Sequence, residues 1–419
     1  MTVKGLVIWL ICALFFLYEF FLRTVLGIFQ VSLMNELNLS AVQFAMISST
    51  SYQVIYGLMQ IPVGIIADRF QLKRTLLCAT LICTLATLGF AFSSGYSSAL
   101  FYRFLMGLGS SFGFVCLLLA VYDWLPRKNI AFFIGLSQFI GTIGPMLAAG
   151  PLNSLLADNS HNWRSLFLVL AGIGASLACL VLYFVEQNRG REGDFFILSR
   201  PSTLRSNVQL LLRQKQVWYI GFYSALVYFT LEYLSENEGI SFLVHKGYTN
   251  IFSAYLISIS WLGYALGCPF LGYLSDKVQQ RKPIMVFSIS CVLVSLSAIL
   301  YLPLSQIALM GCFLMLGIGA SGQSIGFAII SEYCQARYLT IGLAFNNSLI
   351  MFYSASSAPF IGYLLEHKSD YVDPILHYQK SFSVLIVLVL LGFLLSLGFI
   401  KETFCKQVNE STLLKLKPS

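Results

Sequence analysis

Runs of roughly twenty apolar residues, each long enough to cross a hydrocarbon layer as a helix, recur along this chain with short polar breaks between them. The pattern predicts twelve spans: 6–33, 42–67, 75–94, 98–124, 130–152 and 164–186, then 216–244, 250–275, 284–303, 306–331, 338–365 and 380–400. The one long polar stretch, 187–215, holds Arg189, Arg191, Arg200, Arg205, Arg213 and Lys215 and reads as a linker. The expected organisation is a six-helix half 1–186, a linker 187–215, a second six-helix half 216–401 and a tail 402–419. The expected fold class is an all-α membrane protein of two pseudo-symmetric six-helix bundles. The first apolar stretch, from Gly5 to about Met34, is too long for a signal-peptide core and no small-x-small cleavage site follows it, so it reads as the first span.

Composition agrees. The chain is 57% hydrophobic and 11% charged, with a mean hydropathy of +0.77, whereas soluble domains carry about 25% charged residues. The net charge of +8 does not form a nucleic-acid-binding stripe; the bases lie in short loops between apolar runs. With the N-terminus inside, Arg164, Lys246, Lys368 and Lys380 fall outside and Arg23 and Arg103 fall within spans, leaving 20 of the 26 Lys and Arg on the inner side. That bias places both termini in the cytoplasm. The ten cysteines show no metal-ligand spacing and sit mostly in apolar runs, as small buried residues do.

A half-length repeat then emerges. Gly64-Ile-Ile-Ala-Asp68-Arg69-Phe-Gln-Leu-Lys73-Arg74 returns 208 positions later as Gly272-Tyr-Leu-Ser-Asp276-Lys277-Val-Gln-Gln-Arg281-Lys282. Asp123, near Arg127, corresponds in the same way to Glu332, near Arg337. Duplication in an apolar chain points to a transporter built from repeats. The two halves, the basic linker and the repeated Gly-x3-Asp-Arg/Lys motif resemble the major facilitator superfamily, and the resemblance covers nearly the whole chain. Arg103-x3-Gly107-x-Gly109 and its echo Gly317-x-Gly319 strengthen it. Gly141-x2-Gly144-Pro145 only partly matches the antiporter-type motif, so antiport is not implied. The opening segment Leu14 to Arg23 is similar to proteobacterial phagosomal amino-acid transporters, to lysosomal dipeptide carriers and to the anion:cation symporter branch. The resemblance implies alternating access about a central cavity ringed by spans one, four, seven and ten. It also implies a cytoplasmic gate of Gly64, Asp68, Arg69, Arg74, Asp123, Arg127, Gly272, Asp276, Arg281 and Glu332, whose acid–base pairs latch the cytoplasmic helix ends. The plainer alternative is a set of interfacial charges that only fix topology, because exposed pairs contribute roughly 0–1 kcal/mol.

Charges at mid-membrane carry the chemistry. Glu19 and Arg23 share one face of span one, and Arg23 shifted by 209 lands on Glu232 of span seven. A buried charge costs roughly 2.5–3.5 kcal/mol even on the lenient insertion scale, so these groups either face a wet cavity or neutralise one another. Arg23 suits a carboxylate fork and Glu232 an ammonium. Glu19 and Glu232 are the candidate proton carriers. Tyr18, Gln53, Tyr56, Arg103, Gln138, Tyr228, Trp261, Gln323, Asn346 and Asn347 complete the candidate substrate site, each with an alternative as an interhelical hydrogen bond or packing residue. Ser235-Glu236-Asn237-Glu238-Gly239 reads either as a break within span seven or as the start of an outer loop.

No GxxxxGK[ST] loop, HExxH, GxSxG or paired-cysteine site occurs. No enzyme activity, cofactor, metal or nucleic-acid partner is expected, and the partners are the bilayer, a small solute and protons. The expected protein is a monomeric, proton-coupled uptake carrier in a bacterial inner membrane, moving an amino acid or short peptide. Rival readings are an organic-anion symporter using Arg23 and Arg103, a nucleoside or sugar carrier, and a membrane receptor on a carrier fold.

Overall fold

The computed structural model describes residues 3–125, 130–156, 163–186, 208–334, 339–367 and 373–408, and these are helical with no strand among them. The linker bases Arg189, Arg191, Arg200 and Arg205 lie outside the described residues, as do Arg127, Arg337 and Lys368. The expected spans correspond to helical segments 1–12 in chain order. Segment 1 is helix Val3–Thr24, a 3-10 turn Val25–Phe29, and helix Gln30–Glu36. Segment 2 is helix Ala41–Ala45, a π turn Met46–Thr50, and the start of Ser51–Ala91; Gln71, at φ 61°, divides that long helix from segment 3. Segment 4 is Tyr96–Ser110 with Gly113–Trp124, segment 5 is Ile130–Ala148 with Gly150–Leu156, and segment 6 is Trp163–Phe184. The second half follows as Lys215–Glu236 with Gly239–His245 (7), Asn250–Val278 (8), Lys282–Tyr301 (9), Gln306–Ala320 with Gln323–Tyr333 (10), Leu339–Glu366 (11) and Pro374–Leu394 (12).

Nine helices among the described residues have the length and apolarity to cross a membrane. Segments 2, 5 and 7 are not among these nine. Segments 6 and 12 expose Leu168, Val169 and Leu182, and Val387, Leu391 and Leu394. Apolar faces of that extent belong against lipid tails. Interior prolines occur in segments 2, 5, 8 and 11, at Pro62, Pro145, Pro269 and Pro359. Each removes one helical hydrogen bond and bends its helix. These four bent helices also form the seam between the halves, segment 2 against 11 and segment 5 against 8.

The sequence repeat is also a repeat of packing. A Cβ on Gly107 would lie 2.4 Å from the Tyr52 carbonyl oxygen, and one on Gly317 would lie 1.8 Å from that of Ser260. Gly109 presses on Ala79 and Cys83, and Gly319 on Ser288 and Val292. Every partner is displaced by 208 or 209 positions, so both halves use glycines to bring the fourth helix onto the second and third. The breaks in segments 4 and 10 correspond as well, at Ser111-Phe112 and Ser321-Gly322.

Gly317→Val is therefore expected to destabilise the second half by about 1–3 kcal/mol or more through overpacking. Gly311→Ala, where nothing lies within 4 Å of the added methyl, should be neutral. Thermal unfolding of the detergent-purified variants checks both.

Candidate functional site

Arg23 lies in the last turn of the first helix of segment 1, one residue before its end at Thr24 and the 3-10 turn that follows. Glu232 and Glu236 lie one turn apart at the end of Lys215–Glu236, and Asn237 leaves helical geometry at φ −127°, ψ −121°. All three charged side chains are buried. Segment 7 is thus broken where the polar run allowed it, and Ser235 to Glu238 are buried inside the bundle instead of forming an outer loop. Arg23 forms ion pairs with both carboxylates, reaching Glu236 through Nε at 3.1 Å. Glu236 also accepts from Gln53 Nε2 at 2.9 Å and Ser49 Oγ at 3.2 Å. Among the described residues, Glu232 Oε2 meets no hydrogen-bond donor. Asn237 joins the cluster through Ser48 at 2.6 Å and Ser49 at 3.0 Å.

Arg103 has a different position. It is fully buried, and its guanidinium donates to four backbone carbonyls: Leu22 and Ser48 at 2.8 Å, Ile47 at 3.1 Å and Arg23 at 3.2 Å. Those oxygens are freed by the irregular turns of segments 1 and 2, and an unpaired buried carbonyl costs about 1–3 kcal/mol. Arg103 therefore secures the backbone that presents Arg23, and it lies off the cavity wall.

A cavity of about 410 Å³ opens beside the cluster. Its wall includes seven expected residues: Glu19, Arg23, Tyr56, Gln138, Tyr228, Gln323 and Asn347. Glu19 accepts from Tyr52 Oη at 3.1 Å, Gln323 from Tyr264 Oη at 2.7 Å, and Asn347 donates to Gln60 at 2.9 Å. Six other expected residues lie elsewhere. Tyr18 donates to the Leu170 carbonyl at 3.0 Å, Trp261 to Ser235 at 2.8 Å, and Asn346 is fully buried off the wall. Gln53, Glu232 and Arg103 belong to the layer behind Arg23. Glu236, Ser49 and Asn237 complete this layer without having been singled out as site residues; their signals were the Ser48-Ser49-Thr50-Ser51 run and the acids flanking Asn237.

Hydrogen bonds described between the halves lie at mid-depth or toward the end opposite the repeated motif. They include Ser241 to Gln30 at 2.6 Å, Thr50 to the Ala355 carbonyl at 2.6 Å and Asn153 to Asn250 at 2.7 Å. The Asn347–Gln60 bond is the deepest toward the motif end.

At the motif end, Arg281 bonds Asp276 at 2.7 Å and Glu332 at 2.8 Å, tying segments 8 and 10 of one half together. The expected latch is thus an intra-half contact in this conformation. Gly64 is buried, Gly272 has open space around it and Arg74 is exposed; the side chains of Asp68, Arg69 and Asp123 lie outside the described residues. The tail joins this network. Glu402 accepts backbone N–H groups of Arg281 and Lys282 at 2.9 and 2.8 Å, and of Thr403 and Phe404 at 2.9 Å each. Burial pushes the Glu402 carboxyl up, but these four donors outweigh it and hold it below the ordinary carboxylate range.

A model of the Major Facilitator Superfamily matches residues 10–322 and 242–412, and the chain belongs to that superfamily. It is similar to the hexuronate transporter of Bacillus subtilis (strain 168), 26% identical over 283 residues covering 65% of each chain. It is also similar to the phosphoglycerate transporter protein of Salmonella typhimurium, 23% identical over 299 residues, 63% of this chain and 62% of the relative. The alignments thus span just under two thirds of these relatives' length. The solved D-xylose-proton symporter shares the fold at a TM-score of 0.77 and 14% identity, covering 96% of this chain and 99% of the other. The chain is that of a multi-pass membrane protein of this superfamily.

Two outcomes follow from the geometry. Arg103→Ala strands four carbonyls and should abolish a monodisperse product on size-exclusion chromatography, with no substrate involved. Because the Glu402 carboxyl is held low, its contribution to docking is present above the ordinary carboxylate range and lost only as pH falls through the lowered value. Tail cleavage in limited proteolysis should therefore stay flat from pH 8 to 5, while Glu402→Ala should expose the Lys401 and Lys406 peptide bonds throughout that range.

Proposed function

We propose that this protein is a proton-coupled carrier of a small organic acid, working by alternating access of two six-helix halves with twelve spans in all. The observation that carries the reading is Arg23, a cation on the cavity wall held from behind by two glutamates of the other half. A substrate carboxylate competes with those glutamates for the same guanidinium fork. The relatives named for hexuronate and phosphoglycerate handle organic acids, which favours an anion over the amino acid or peptide expected first.

Charge balance supplies the coupling. Glu19, Glu232 and Glu236 are buried in the same region as Arg23 and Arg103, three acids to two bases. An unbalanced buried charge is unfavourable, and a proton on one carboxyl restores neutrality. Glu232, with an oxygen that meets no donor, and Glu19, on the cavity wall, are the carriers in this reading. An arriving carboxylate adds a negative charge, and a second proton answers it. With both termini in the cytoplasm of a bacterial cell, the cavity faces inward and the seam closes the outer side. The carrier acts as a monomer.

In proteoliposomes, an inside-alkaline gradient should drive accumulation of organic acids and not of neutral sugars. Arg23→Gln should lower acid uptake by a hundredfold or more. Glu232→Gln should retain acid exchange across the membrane but lose accumulation driven by the pH gradient. Accumulation of zwitterionic amino acids in place of acids would overturn the substrate assignment, and gradient-driven accumulation by Glu232→Gln would overturn the coupling role.

A further inference from the structure

The cavity beside Arg23 is walled in part by aromatic rings. Phe16, Phe20 and Arg23 follow at i, i+4 and i+7 on one helix, so they present a single face. The Arg23 guanidinium lies 5.5 Å from the Phe20 ring, Phe20 lies 6.0 Å from Phe16, and Phe16 lies 5.7 Å from Phe114. On the facing half, Tyr228 lies 5.6 Å from Tyr264. These separations are those of edge-to-face and offset ring packing. Both aromatic rows contribute to the cavity wall, the first descending from the guanidinium.

Several polar side chains on the same wall are engaged with the protein. Gln60 accepts from Asn347 at 2.9 Å and donates to the Tyr56 carbonyl at 3.1 Å. Gln323 accepts from Tyr264 at 2.7 Å, and Ser324 donates to the Ser321 carbonyl at 2.8 Å. A polyhydroxylated acid placed here loses water from several hydroxyls and meets ring faces in return, and each unpaired group weakens binding. A ring or compact alkyl body loses nothing comparable and gains from burial.

We infer that the cargo is a monocarboxylate with an apolar, ring-sized body, its carboxylate at Arg23 and its ring between the two aromatic rows. This rests on the organic-acid reading of the same site and narrows it away from polyhydroxylated acids such as hexuronates.

The test is a ligand comparison on the purified full-length protein, by thermal stabilisation and by competition for uptake in proteoliposomes. Phenylacetate and cyclohexanecarboxylate are expected to bind at least about tenfold more tightly than glucuronate, a difference of about 1.4 kcal/mol. Phenethyl alcohol, which keeps the ring and lacks the carboxylate, should bind no better than glucuronate. Phe327→Ser, on the apolar wall, should narrow the difference, and Arg23→Gln should remove it. Glucuronate binding equal to or tighter than phenylacetate would overturn the ring-body inference and leave the organic-acid reading standing. Phenethyl alcohol matching phenylacetate, or no response to any acid, would overturn both.

Discussion

A guanidinium inside a hydrocarbon slab has to be answered by carboxylates or by backbone oxygens, and this chain buries two of them side by side. Arg103 is answered chiefly by carbonyls, and those carbonyls are freed because segments 1 and 2 leave regular helical geometry between Val25 and Phe29 and between Met46 and Thr50. Arg23, on the backbone so secured, is answered by Glu232 and Glu236 from the opposite half. The broken end of segment 7 places the second of these glutamates among Ser49, Gln53 and Arg23. Irregular backbone at membrane depth is tolerated only where it lies within protein or lines a cavity, and here it lies within protein.

The repeat gives this arrangement its economy. Positions 23 and 232 correspond across the halves, and in three dimensions they touch. Two positions that correspond in the repeat therefore meet across the seam, and their opposite charges make the encounter an ion pair. The same correspondence governs the glycine contacts at 107 and 317, where close helix approach leaves no space for a side chain.

Much of this was legible in the sequence because it follows from one-dimensional regularities. Apolar runs marked the helical segments, the 208-residue offset marked the matching glycine contacts, and the cost of a buried charge singled out Arg23 and Glu232, which pair in the fold. Arg103 was misread as a cavity residue because its partners are carbonyls, and backbone irregularity leaves little trace in side-chain identity. Glu236 stood in a polar run whose two readings, loop or break, differ only in burial, which tertiary packing decides. Tyr18 and Trp261 shared the depth of the cavity residues but point into interhelical contacts; depth is readable from position along a span, whereas the face that meets the cavity is not marked where a helix is apolar nearly all round. The Glu402 contact was invisible because its partners are the amides of a loop 121 and 120 residues earlier.

The seam between the halves is sewn with hydroxyls and amides: Ser48 to Asn237, Asn237 to Ser49, Ser241 to Gln30, Asn153 to Asn250. Groups of this kind exchange a protein partner for water at a net loss of only about 0.5–1.5 kcal/mol each. A seam of leucines would instead expose dry surface on parting and stay shut. In the alternating-access cycle we propose, wettable stitching lets the two arrangements of the bundle sit close in free energy, so that the modest difference in how each holds one small molecule decides which of them is populated.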